Sequence, residues 1–260
     1  MRIALVTQDD PFYIARFFKT FLENLPESFE TRLAVVCRTM GKSSRTLAKQ
    51  LYEFYGPVDF LRMGTRFTVK KVLAGTVGAL SRRRPVSLSQ VFRAHDVPSM
   101  TCTNVNAAAV VDRLRSENLD LLVSVAAPNV FKERLLAVPR VGSINIHTAK
   151  LPQYRGMMPN FWVMYHDEPR SAITIHTMDA EIDRGQTILQ REFDLLPGES
   201  LDRLIKRTKR MGARFMVDAL REIEAHGIRP IEVPSAESSY FSFQKKEHVE
   251  KFRQQGKRLL

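Results

Sequence analysis

Apolar residues fall first in a short run and then at helical spacing, and this alternation recurs along most of the chain. Residues 3–6, Ile-Ala-Leu-Val, form a run of the buried-strand type. Residues 11–25 follow with Ile14, Phe17, Phe18 and Leu22 at helical spacing and Pro26 past the end, which predicts a helix. Residues 33–37, Leu-Ala-Val-Val-Cys, predict a second buried strand. Strand, helix, strand, with the strands apolar throughout, opens a parallel sheet covered on both faces. The pattern then predicts helices at 87–95, 104–117, 128–136 and 158–166. Strands are predicted at 98–102, 119–126, 142–147, 172–178 and 187–194, with loops at 151–156 and 179–185. Ser200 caps a long amphipathic helix that carries Leu204, Met211, Phe215, Leu220 and Ile223 at helical spacing and ends at His226-Gly227. Tyr240-Phe-Ser-Phe243 and a short basic helix at 245–255 complete the tail. The expected fold is α/β: a Rossmann-like, mainly parallel sheet with helices on both faces and a short C-terminal appendage.

One stretch does not fit the strand–helix rhythm. Residues 43–80 read as helix broken at Gly56-Pro57, with one apolar stripe at Leu47, Leu51, Phe54 and Tyr55 and another at Val69, Val72, Leu73, Val77 and Leu80. Charge singles out the same region. The chain carries +12, and residues 42–86 hold ten Lys or Arg, among them Lys42 and Arg82-Arg-Arg84, against Glu53 and Asp59 alone. Such a balance favours anionic partners. RNA, a membrane surface or a second copy of the chain are the partners this insertion could serve.

Composition excludes several classes. With 260 residues, 44% of them hydrophobic, the chain suits one ordinary globular domain with a small appendage. No window approaches the ~18 apolar residues of a transmembrane helix, and the apolar start is short for a signal peptide, so a cytoplasmic protein is expected. Cys37 and Cys102 give neither a disulfide framework nor zinc spacing, and the histidines show no metal-binding pairs, so no metal is expected. Thr7-Gln-Asp-Asp-Pro-Phe12 lacks the glycines of a dinucleotide-binding turn.

The chemistry concentrates downstream. Asn145 and His147 lie two apart on the predicted strand 142–147 and so share a face at its carboxyl end, where open α/β sheets place their sites. Asp183 follows in the 179–185 loop. An amide donor, an imidazole and a carboxylate are the parts needed to move an acyl group onto an amine: donors for a developing oxyanion and an acceptor for the amine proton. The ordered set Asn145-Ile-His-Thr-Ala-Lys-Leu-Pro-Gln-Tyr-Arg-Gly156, Thr174-Ile-His-Thr177 and Asp183-Arg-Gly185 resembles the folate-dependent formyltransferases. These include methionyl-tRNA formyltransferase, glycinamide ribonucleotide transformylase and the sugar N-formyltransferases. The resemblance is close over about 118–195 and looser over the rest of the first 220 residues.

The resemblance implies a catalytic domain at 1–225, with the insertion at about 42–86, and the appendage at 226–260. It implies 10-formyltetrahydrofolate as co-substrate, with Asn145, His147 and Asp183 catalytic. By position, the pterin would lie against Pro128, Asn129, Val130 and Phe131 and against Ala180, Glu181 and Ile182. Val130 and Phe131 would pack its face. Lys150, Tyr154 and Arg155 are the candidate contacts to the amine acceptor. The family's His-Pro-Ser-Leu-Leu-Pro is His147-Thr-Ala-Lys-Leu-Pro152 here, so a hydroxyl is lost at Ala149 and a cation gained at Lys150, which favours an anionic acceptor. His176, Phe161 and Trp162 read as buried structural residues. A nucleotide-linked amino sugar is the first choice of acceptor, because residues 226–260 are short for the barrel that follows the catalytic domain in methionyl-tRNA formyltransferase. A methionyl-tRNA formyltransferase-like enzyme, a formyltetrahydrofolate hydrolase and a non-enzymatic RNA-binding module are the alternatives, in that order.

Overall fold

A computed structural model describes residues 1–38, 44–76, 87–233 and 237–260. Their elements, in chain order, are β1 (Arg2–Gln8), α1 (Ile14–Asn24), β2 (Glu30–Cys37), α2 (Ser44–Thr76), α3 (Leu88–Ala94), β3 (Ser99–Cys102), α4 (Ala108–Arg115), β4 (Leu121–Val125) and α5 (Glu133–Leu136). Then come β5 (Gly142–His147), β6 (Arg155–Gly156), α6 (Pro159–Tyr165), β7 (Arg170–Thr177), β8 (Thr187–Asp194), α7 (Leu201–His226), β9 (Tyr240–Phe241) and α8 (Lys246–Gln254).

Seven of these strands form one sheet in the order β3-β2-β1-β4-β5-β7-β8. The pairs from β3 through β5 are parallel, and β7 runs antiparallel to both β5 and β8. The mainly parallel α/β architecture is therefore the one the periodicity predicts. Side-chain alternation divides the strands between two layers. Ile3 and Leu5 of β1 join one core with Phe17, Phe18 and Phe21 of α1 and Met216 and Leu220 of α7, while Ala4 and Val6 join another with Val111 and Leu114 of α4 and Leu135 of α5. Helices thus cover both faces.

The tail returns to the body. Val249, Phe252 and Leu259 are buried in the larger core. The start of α7 is held there too, with Leu201 N donating to Arg258 O and Asp202 N to Leu259 O.

Several boundaries differ from expectation. The helix predicted at 128–136 contains only its last turn, α5. Residues 128–132 stay out of the helix because side chains compete for their backbone: Asn106 Oδ1 accepts from Lys132 N, and Asn106 Nδ2 donates to Val130 O. The helix predicted from 104 begins at Ala108, after a turn in which Asn104 Oδ1 accepts from Asn106 N. The loop at 151–156 ends in β6, which pairs with β9 of the tail. In α2 the expected break appears at Gly56, with φ 66 ahead of Pro57. Phe54 is buried beside it, whereas Val69 and Leu73 of the second stripe face solvent. Lys42, Val77, Leu80 and Arg82–Arg84 lie outside the described residues. No helix among the described residues is long and apolar enough to cross a membrane.

Candidate active site

Pairing of β5 with β7 assembles the centre. Asn145 faces His176 across the ladder and His147 faces Thr174, so period-two spacing on each strand sets an amide and two imidazoles side by side. The chain beyond β7 then turns back. Thr177 N donates to Gln186 O and Gln186 N to Thr177 Oγ1, which closes the loop that holds Asp183. Asp183 itself sits in the left-handed region at φ 51, a conformation that costs energy in a non-glycine residue and persists when its surroundings fix it. Gly185 permits the closure, since a Cβ there would lie 1.6 Å from the Thr177 carbonyl oxygen.

The carboxylate binds three elements together. Asp183 Oδ2 accepts from Gly156 N at 2.9 Å and lies 3.4 Å from His147 Nδ1, and Oδ1 lies 3.6 Å from His176 Nε2. All three side chains are at most 9% exposed. His147 Nε2 donates to the Tyr154 carbonyl at 2.7 Å. With that proton on Nε2, the Nδ1 lone pair of a neutral ring faces the carboxylate, so one further proton shared by Nδ1 and Oδ2 completes the pair. An imidazole and a carboxylate so placed can hold and pass a proton.

His176 plays a different part. Its Nδ1 donates to Thr177 O at 2.8 Å, which leaves Nε2 as an acceptor for Asn145 Nδ2 at 3.2 Å. Burial pushes the His176 imidazole below its usual range; Asp183 opposes that shift and His147 reinforces it. A neutral His176 therefore fixes which way the Asn145 amide points, and the amide keeps a second N–H. In the sequence alone His176 is a mid-strand histidine that reads as structural. The signal that could have found its role is the Thr174-x-His176 spacing, which matches Asn145-x-His147 only once the two strands are paired.

The remaining candidates divide. Tyr154 and Arg155 are built into the loop. The Tyr154 hydroxyl donates to Glu168 at 2.6 Å and its ring stacks on Phe241. Arg155 donates from Nε to Ile182 O at 3.2 Å and from a terminal nitrogen to Ser238 Oγ at 3.1 Å, tying the tail to the Asp183 loop. Lys150 pairs with Glu192 at 2.8 Å, and the same carboxylate takes Arg170. In the 128–131 segment, Phe131 is only 1% exposed and packs in the core beside α4, so its ring is not available to a ligand face. Val130 is exposed, and Pro128 and Asn129 are half-buried. Ala180, Glu181 and Ile182 are exposed, with Glu181 paired to Arg184. Phe161 and Trp162 are buried as expected, Trp162 stacking on Phe241 and donating to Ser242 O.

Comparison with known proteins points to one family. The family model described as formyl transferase matches residues 65–220. The methionyl-tRNA formyltransferase of Thermotoga maritima is 30% identical over 165 residues, covering 64% of this chain and 53% of that protein. The Cyanothece methionyl-tRNA formyltransferase is 33% identical over 171 residues, with coverage of 65% and 51%. The chain therefore spans about half the length of the curated relatives it matches. Among solved structures, glycinamide ribonucleotide transformylase 1 of Symbiobacterium toebii superposes with a TM-score of 0.60 at 14% identity, covering 86% of this chain and 88% of the other. A sugar N-formyltransferase from Shewanella does so with a TM-score of 0.58 at 16% identity, over 97% and 87%. At these identities the structural likeness is one of fold.

Proposed function

The chain belongs to the formyltransferase family, and from that premise we propose that it transfers the formyl group of 10-formyltetrahydrofolate to a primary amine, first among acceptors the amine of a nucleotide-linked sugar. The observation that carries this reading is the set Asn145, His176, Asp183 and His147, in which the two imidazoles are buried and the amide and carboxylate are half-buried. It couples an oriented amide donor to a proton-holding pair.

The residues present fit such a formyl donor. Exposed Val130 offers apolar surface beside the half-buried backbone of Pro128 and Asn129, and exposed Ile182 lies in the loop that carries Asp183. The co-substrate supplies a formyl carbonyl attached to nitrogen, which an amine attacks as its C–N bond forms and the old one breaks. Asn145, held by His176, aims its second N–H at the oxygen on which charge develops. His147 reaches that oxygen only by exchanging the Tyr154 carbonyl. Asp183, with His147 beside it, takes the proton that the attacking amine must lose and can return one to the departing nitrogen.

A charge of +12 suits an acceptor that carries phosphate. Methionyl-tRNA is the second reading, favoured by relatives 30–33% identical that bear that name. A mass-spectrometric assay with 10-formyltetrahydrofolate and either nucleotide-linked amino sugars or methionyl-tRNA tests both. A gain of one CO on a sugar supports the first reading, and a gain only on methionyl-tRNA replaces it with the second. Release of formate with no product makes the enzyme a hydrolase. Asn145→Ala, His147→Ala and Asp183→Ala should each retain the fold and lose about 100- to 1000-fold in turnover. Full turnover in any two of them would discard the mechanism.

A further inference from the structure

The formyl-transfer site leaves α2 without a task. Beyond the Gly56 break, the contacts this helix makes with the body among the described residues come from one face. Met63 is 6% exposed, Phe67 meets Phe12, Arg66 reaches Asp202 at 3.7 Å, and Lys70 Nζ donates to the carbonyls of Pro11 and Phe12. On the opposite face Val58, Leu61 and Val69 recur at helical spacing and are 62%, 69% and 56% exposed, with Leu73 continuing the stripe at 43%. Aliphatic side chains aligned in water along several turns mark an interaction surface rather than scattered exposure. Cations border this stripe: Arg62 on one shoulder and exposed Lys71 toward the other, with Arg66 turned to Asp202 of the body. From 57 to 73 the only acid is Asp59, itself paired with Arg62 at 3.2 Å.

We infer that this face of α2 docks on an anionic lipid bilayer, the aliphatic stripe entering the interface and the flanking Arg and Lys meeting acidic headgroups. An amphipathic helix with aliphatic residues on one side and cations along its shoulders is the form that lies in the headgroup region. Charge decides between occupants. A second copy would set the same cationic shoulders against each other in a chain already carrying +12. A phosphodiester backbone answers the cations but offers nothing to Val58, Leu61 and Val69. An acidic bilayer answers both. Docking does not depend on formyl transfer, and its test uses no turnover.

The full chain would be sedimented with vesicles of phosphatidylcholine alone and with vesicles containing about one-third phosphatidylglycerol. The expected result is binding to the anionic vesicles only. It should weaken about tenfold or more in the Leu61→Ser/Val69→Ser double variant, and it should also weaken in Arg62→Glu and in high salt. Unchanged thermal unfolding of the double variant separates lost docking from lost fold. Absence of binding to anionic vesicles, or equal binding by the double variant, overturns the inference. So does a wild-type dimer that the double variant makes monomeric, or retention on RNA without retention on vesicles.

Discussion

The centre built on β5 and the outer face of α2 use their side chains in opposite ways. Asn145, His147, His176 and Asp183 are each buried or nearly so, and each is held by a named partner within one network. Val58, Leu61 and Val69 stand in solvent on a helix that is fastened along its other side by Phe67 and Lys70. The first region is over-determined: moving one group disturbs the geometry of the rest. The second is held from behind, with Val58, Leu61 and Val69 more than half exposed. Chemistry that depends on atom positions suits the first, and adhesion that depends on area and charge suits the second.

Two glycines give the sharpest way to break that contrast. A methyl at Gly185 would lie 1.6 Å from Thr177 O, a backbone atom fixed by the ladder that also places His176. Gly185→Ala must therefore displace the Asp183 loop. It should cost about 3 kcal/mol or more and lower Tm by about 6 °C or more, with turnover falling alongside. Gly56 is required for a different reason. Its φ of 66 disfavours a side chain, but the nearest atoms to a new Cβ belong to the Arg253 guanidinium, which can move. Gly56→Ala should cost about 1–3 kcal/mol and leave turnover intact. Equal loss of turnover in both variants would show that the two regions are coupled.

The same contrast governs what could be read in the sequence. Asn145, His147 and Asp183 were legible as a group because their residue types stand in an ordered motif that resembles a family pattern, and one strand and one returning loop bring them together. The sheet was legible because buried parallel strands are apolar throughout. Features that depend on residues distant in sequence were not. His176 reads as a mid-strand histidine until antiparallel pairing sets it opposite Asn145. Arg155–Gly156 reads as loop because its ladder partner, Tyr240–Phe241, lies in the tail and a two-residue bridge has no period. Phe131 reads as ligand surface by analogy of position, but the non-helical segment held by Asn106 turns its ring into the core. For α2, helical spacing was plain, while which stripe is buried and which faces water followed only from packing.

His176 offers a smaller, continuous probe of the first region. Burial, reinforced by His147 and opposed by Asp183, holds its imidazole below the usual 6.5. Between that value and its lowered native one, the unfolded chain binds a proton that the native centre refuses. Stability is therefore full above about pH 6.5, declines as pH falls below it by at most about 1.4 kcal/mol per unit, and levels off beneath the native value. Burial lowers His166 as well, so the informative quantity is the difference between wild type and His176→Gln, which keeps an acceptor for Asn145. Thermal unfolding followed from pH 7.5 to 5.5 should show a shallower acid decline in the variant. Identical slopes would mean that His176 takes up a proton in the folded protein at no cost, and the neutral-acceptor role would fall.

The smallest expected effect lies on α2. Leu61 is 69% exposed, so folding removes little of its surface from water and Leu61→Ser forfeits little burial. Serine has a slightly lower helix propensity than leucine, and the two effects together should stay within about 0.5 kcal/mol. A calorimetric scan of the isolated variant should therefore overlay the wild type to within about 2 °C. An ordinary surface residue would give the same scan, so the near-zero result gains meaning from the vesicle measurement on the same residue. A side chain that contributes nothing to folding yet governs attachment is placed for attachment. A marked drop in stability would instead assign Leu61 to the protein's own packing, and the contrast between the two regions would fail at its outer edge.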